Sequence, residues 1–110
     1  MNGVLKITGG RKLEGVVTPI PNKNSLVAVL PASILTNETV TYRNIPGTSD
    51  VTKIVQILRL LGADVNQDVE GVLKINCASV SSYRVDSVLG GQFRASLMFA
   101  GPLLARFGIA

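Results

Sequence analysis

The run from Thr48 to Gly62 fixes its own conformation and, with it, the arrangement of its neighbours. Val51, Ile54, Val55, Leu58 and Leu61 recur at spacings of three and four, which puts them on one side of an α-helix. Thr48 or Ser49 can cap its start. Asp50 falls in the first turn, where free backbone N–H groups and the helix dipole favour a negative charge, and Gly62 stands where helices commonly end. Strand-forming stretches flank this helix: residues 40–45 before Pro46-Gly47, then residues 63–65 and 72–75, joined by the polar residues 66–71. A helix apolar on one side and set among strands buries that side against their sheet, so the chain reads as α/β (α+β) with a strand–helix–strand–strand centre.

Toward the N-terminus, residues 4–7 and 13–17 read as a hairpin-like pair of strands around Gly9-Gly10. Two strands alone are not stable, so this pair is expected to dock on another sheet. Pro19 and Pro21 lack an N–H and restrict the residue before them, separating the opening pair from the rest of the chain. The stretch Pro21-Asn22-Lys23-Asn24-Ser25 then leads into an apolar helix reaching about Leu35. Asn24 or Ser25 is its expected cap, and Pro31 its expected kink or point of delay. A third helix is expected over residues 86–107, weakened at Gly90-Gly91 and bent or broken at Gly101-Pro102. The order helix, strand, helix, strand, strand, helix resembles one unit of a repeat plus the opening of the next, so the chain reads as cut short.

At 110 residues the chain can build one core. Its hydrophobic content of 46%, with 5% aromatic and no Trp, makes that core aliphatic and leaves apolar faces that other protein, a further part of the same chain or an oligomer partner, is expected to cover. With no His and a single cysteine, Cys77, neither a zinc site nor an internal disulfide can form. No metal or cofactor is expected. The opening residues lack the apolar core of a signal peptide, and no uncharged run approaches the roughly 20 residues that span a bilayer. A cytoplasmic protein that does not engage membranes is the expectation. The net charge of +4 comes from eleven Lys and Arg scattered almost singly, without the aromatic or helix-turn-helix patterns of nucleic-acid binders. Small anions are therefore the expected ligands.

Lys23 and Asn24 stand where a helix begins, beside backbone N–H groups with no intrahelical partner. Such a terminus attracts anions, and Lys23 adds a full charge. Arg94, at the start of a second apolar stretch, is the expected other half of the site. Each residue also has a plainer role: Lys23 as a solvated first-turn residue, Asn24 as a cap, Arg94 as an arginine whose stem lies on apolar surface. A cation is mildly disfavoured at a helix N-terminus, however, so an anion should be present to offset Lys23. Arg106 reads as structural or as a partner of a helix C-terminus, and Cys77 as a small buried hydrophobe. Gly9-Gly10 lacks the spacing of a phosphate-binding loop and reads as a turn.

Taken in order, these segments resemble the enolpyruvyl transferase family. The resemblance is carried by Ile7-Thr-Gly-Gly10 with Leu13-Glu-Gly15, Lys23-Asn24 before a helix containing Leu30-Pro31, and Asn44-Ile-Pro46 with Ser49-Asp50-Val51. It continues through Leu60-Leu-Gly-Ala-Asp-Val65, Phe93-Arg-Ala-Ser96 and Gly101-Pro-Leu-Leu-Ala-Arg-Phe-Gly108. It is nearer to the branch acting on UDP-N-acetylglucosamine than to 5-enolpyruvylshikimate-3-phosphate synthase, which stands as the alternative activity. The family's fold is an inside-out barrel of two domains, each made of three βαβαββ units, with substrates in the cleft between them. The resemblance therefore implies an incomplete chain. Residues 1–20 would be strands belonging to the second domain, 21–82 the first repeat, and 83–110 the opening helix of the next. It implies transfer of the enolpyruvyl group of phosphoenolpyruvate to the 3'-hydroxyl of UDP-N-acetylglucosamine, the first committed step of peptidoglycan synthesis. Lys23 and Asn24 would lie at the phosphoenolpyruvate and sugar site, and Arg94 on the nucleotide sugar. The proton donor would lie beyond Ala110, leaving no catalytic acid or base within these residues and no turnover by them alone. The family usually has Gly-Ala where this chain has Pro21-Asn22. A non-catalytic anion-binding or structural module of the same fold is the other reading.

Overall fold

The computed structural model describes residues 3–110. Helix α1 (Lys23–Ala32) runs into a 3-10 turn (Ser33–Leu35), followed by strand β1 (Thr39–Tyr42) and helix α2 (Ser49–Leu61). Strands β2 (Asp64–Gln67) and β3 (Leu73–Asn76) come next, then helix α3 (Ser87–Gly91), a 3-10 segment (Arg94–Phe99) and helix α4 (Ala100–Phe107). The expected mixed helix-and-sheet class is borne out.

Helix α2 forms as its sequence demands. Thr48 occupies the cap position with extended backbone, Asp50 lies in the first turn, and Gly62 closes the helix at φ 106°. Its Val51, Ile54, Val55, Leu58 and Leu61 are all buried. At the far end Arg59 reaches past the closing glycine to donate to the Val65 carbonyl at 2.9 Å, tying α2 to β2.

The three strands form one sheet in the order β1-β3-β2, with β3 antiparallel to both neighbours. Ile75 pairs with Val40 on one side and Val65 on the other. β1 and β2 thus run parallel but apart, connected over one face by α2, and β3 fills the gap between them. Because side chains alternate along a strand, Val65, Leu73 and Ile75 point to the helical face, while Thr41, Asp64, Asn66 and Lys74 face outward. The core lies between sheet and helices, with Leu30 and Ile34 from the first helical stretch and Phe99 and Leu103 from the last.

Three expectations need correction. Residues 4–7 and 13–17 do not pair: residues 3–22 contain no strand, and Val4, Leu5, Ile7, Leu13, Val16, Val17 and Ile20 are 82–97% exposed. Two strands without a further sheet edge or an apolar surface to cover them gain too little to order. The third helix is not continuous. Asp86 caps it as expected, its Oδ1 accepting from the Leu89 N–H at 2.8 Å, but the helix ends at Gly91, and Phe93 is fully extended before the chain coils again. Two consecutive glycines lose the most entropy in a helix, and that is where it stops. Gly101-Pro102, in contrast, does not break α4. It lies in that helix's first turn, where a missing N–H is best tolerated.

Candidate functional site

The first helix begins earlier than expected. Asn22, rather than Asn24 or Ser25, is the cap: its Oδ1 accepts from the Asn24 N–H at 2.8 Å. Lys23 and Asn24 consequently occupy the first turn itself, held by a side-chain cap that Pro21-Asn22 supplies. Pro31 is accommodated near the C-terminal end, and the ladder changes to 3-10 geometry two residues later.

Arg94 approaches from the opposite direction. The extended Phe93 swings the chain into the 3-10 segment, which packs against α1. Lys23, Asn24 and Arg94 therefore line one cleft of about 560 Å³, together with Asp50 from the start of α2. Val27, Phe93, Leu97 and Met98 give it an apolar floor. The two expected halves of the anion site, far apart in sequence, share this cleft.

Lys23 is paired with a carboxylate of the chain itself. Asp50 Oδ2 lies 2.9 Å from Lys23 Nζ, with the two side chains 24% and 49% exposed respectively. Sequence alone makes Asp50 only a first-turn acid, and the signal that points to it is the awkward placement of a cation at the N-terminus of α1. One turn along α2, Lys53 sets its ammonium 5.6 Å from the centre of the Phe93 ring, a cation–π contact at the rim. The cleft thus offers two cations, one carboxylate and one carboxamide over an apolar base. Such a surface suits a small ligand carrying more than one anionic group.

The remaining residues singled out from sequence take structural roles. Arg106 donates to the carbonyls of Ile34 at 2.9 Å and Ala78 at 3.4 Å, joining α4 to the end of the first helical stretch and to the loop after β3. Cys77 is buried. Burial pushes its thiol pKa up, and the nearby Arg106 charge partly opposes the shift. Gly9 and Gly10 lie in the strandless N-terminal stretch, Gly10 at φ 88°, and do not line this cleft. Among the described residues, no group of three His, Cys, Asp or Glu side chains could hold a metal ion, and no helix is long and apolar enough to cross a membrane.

The sequence pattern of the EPSP synthase family (3-phosphoshikimate 1-carboxyvinyltransferase) matches residues 7–110. The chain belongs to this family. Among its relatives, UDP-N-acetylglucosamine 1-carboxyvinyltransferase 2 of Lactococcus lactis subsp. lactis (strain IL1403) is 40% identical over 105 residues, covering 94% of this chain and 25% of that protein. The UDP-N-acetylglucosamine 1-carboxyvinyltransferase of Sulfurovum sp. (strain NBC37-1) is 41% identical over 105 residues, covering 94% of this chain and 24% of that protein. Among solved structures, the enolpyruvyl transferase NikO from Streptomyces tendae superposes with a TM-score of 0.77 at 25% identity, over 91% of this chain and 23% of that one. This member of the EPSP synthase family spans about a quarter of the length of the curated relatives it matches. The family the sequence resembles and the mixed helix-and-sheet fold are therefore as expected, apart from the N-terminal strand pair and the third helix.

Proposed function

We propose that these residues form one wall of the substrate cleft of an enolpyruvyl transferase, which moves the enolpyruvyl group of phosphoenolpyruvate to the 3'-hydroxyl of UDP-N-acetylglucosamine in the cytoplasm. The observation that carries this reading is the meeting of Lys23, Asn24 and Arg94 in one cleft. The names of the relatives supply the acceptor sugar. In the family's architecture, residues 21–82 would be the first repeat, 83–110 the opening of the second, and 1–20 a contribution to the facing domain.

The chemistry suits the cleft. The sugar hydroxyl adds at C2 of phosphoenolpyruvate while C3 takes a proton. Phosphate then leaves from C2, and C3 returns a proton to restore the double bond. Through both steps negative charge shifts between carboxylate and phosphate while C2 acquires positive character. Fixed cations that grip the phosphate more strongly as it leaves lower that barrier. In this reading Lys23 and Asn24 hold the phosphate and carboxylate of phosphoenolpyruvate, and Arg94 holds the anionic nucleotide sugar. Proton transfer is assigned to groups outside these residues, so binding rather than turnover is the activity to seek here.

The test is titration of the 110-residue chain with phosphoenolpyruvate and with UDP-N-acetylglucosamine, observing backbone amide resonances of residues 22–27 and 93–98. Both ligands should move these signals. Lys23→Ala should weaken phosphoenolpyruvate binding, and Arg94→Ala nucleotide-sugar binding, by about tenfold each, the ~1.4 kcal/mol expected of one charge-assisted contact at a solvent-open site. Shifts confined to other parts of the chain, or equal affinities in parent and variants, would refute the assignment.

A further inference from the structure

Lys23 reaches the cleft already engaged, its ammonium 2.9 Å from the Asp50 carboxylate. The two ends of this contact differ in rigidity. Asp50 sits on a short side chain in the first turn of α2, whose own Val51, Ile54 and Val55 are buried, so its position is set by the core. Lys23 is a long, flexible side chain at the exposed start of α1, and Asp50 is its ion-pair partner among the described residues. An ammonium has three donors. One is taken by Asp50, and two remain for a ligand in the cleft that both residues line.

We infer that Asp50 is a positioning residue for anion binding, holding the Lys23 ammonium at the cleft that Arg94 also lines. This rests on the reading of the cleft as a phosphoenolpyruvate site. Two effects of opposite sign compete. As a charge, the Asp50 carboxylate repels an incoming anion. As an acceptor, it spares the ligand the entropy of fixing a lysine with many rotamers. The cleft is open to water, whose high dielectric weakens the repulsion between two anions on one ammonium, whereas the rotamer term does not depend on the dielectric. Positioning therefore outweighs repulsion. Asp50 also leaves the Lys23–Arg94–Asp50 set at a net single positive charge, so a ligand must engage both cations to bind well. That requirement favours a compact molecule with two anionic groups over a lone phosphate.

The sign of the mutational effect provides the test. Asp50→Ala makes the cleft more positive and frees Lys23. It should nevertheless bind phosphoenolpyruvate roughly three- to fivefold more weakly at fixed ionic strength, the range for losing one exposed ion pair's orienting effect. Asp50→Asn keeps an oxygen acceptor in place and should restore parent affinity or exceed it. Phosphoenolpyruvate binding by Asp50→Ala at or above the parent's strength would overturn the inference. A readout without ligand runs in parallel, on the full 110-residue chain labelled with ¹⁵N in lysine side chains. The Lys23 ammonium resonance should be protected from solvent exchange in the parent and in Asp50→Asn, and lose that protection in Asp50→Ala. Equal exchange in all three refutes the positioning role whatever the ligand does. Protection that depends on Asp50 while the parent fails to bind phosphoenolpyruvate would instead refute the site reading and leave the Asp50–Lys23 relationship standing.

Discussion

The Tyr42 hydroxyl stands between Ser33 Oγ at 2.7 Å and the Val29 carbonyl oxygen at 3.0 Å, joining the end of α1 to strand β1. A phenol has one proton. Given to Val29, it leaves Tyr42 to accept from Ser33, a serine only 3% exposed. Replacing Tyr42 by Phe orphans a buried hydroxyl and should destabilise the fold by about 1–2 kcal/mol, read from the urea midpoint. The Ser33→Ala/Tyr42→Phe double variant should be less destabilised than the sum of the single changes. Strict additivity would show that the two hydroxyls are not coupled.

Alkaline pH should loosen the same region. Burial raises the Tyr42 pKa above its ordinary 10.0, the Ser33 hydrogen bond opposing and the Cys77 charge reinforcing the shift. Burial likewise raises Cys77 above 9.0. Both groups are neutral when protonated, and both hold their proton more tightly folded than unfolded. Above the unfolded value the unfolded chain therefore binds fewer protons, and stability falls as pH rises. Stability should be flat with respect to these two groups below about pH 8 and decline from about pH 9 upward. A Cys77→Ala/Tyr42→Phe variant should lose much of that slope in chemical denaturation at about pH 8, 9 and 10. An unchanged slope would place the effect elsewhere.

Gly62 closes α2 at φ 106°, and a Cβ there would lie 2.8 Å from the Ser79 backbone oxygen. Gly62→Ala therefore meets both an unfavourable dihedral and a rigid neighbour. We expect a loss of about 2 kcal/mol or more in thermal or urea unfolding. At Gly91, where nothing lies within 4 Å and φ is not positive, the same change should be neutral or mildly stabilising. Similar losses at the two sites would contradict the steric and dihedral origin of the difference.

Helix α2 is legible in the sequence because its cap position, apolar spacing and closing glycine agree with one another. The strands beside it are legible for the same reason, apart from their ends. The start of the first helix is not: Asn22 and Asn24 both have capping side chains, and only the backbone decides which one folds back. Residues 4–17 have strand-forming composition, yet composition cannot provide a second sheet edge, and they stay unpaired. The third helix reads as too long because its apolar residues continue through Gly90-Gly91 although the backbone does not. Lys23, Asn24 and Arg94 can be named from order and chemistry. Their common cleft depends on the extended Phe93 leading into a separate 3-10 segment, which no local pattern announces, and the cation at the start of α1 hints at a counter-charge without naming Asp50.

The place of β3 at the centre of the sheet bears on how the chain can acquire its shape. Neither β1 nor β2 pairs with the other, so residues 39–42 have no ladder partner until residues 73–76 exist. During synthesis from the N-terminus, β1 must wait unpaired while α2 and β2 are made. Strand β3 then pairs with β2 across the short connection 68–72 and with β1 across residues 43–72, so the β1 ladder is the late, non-local one.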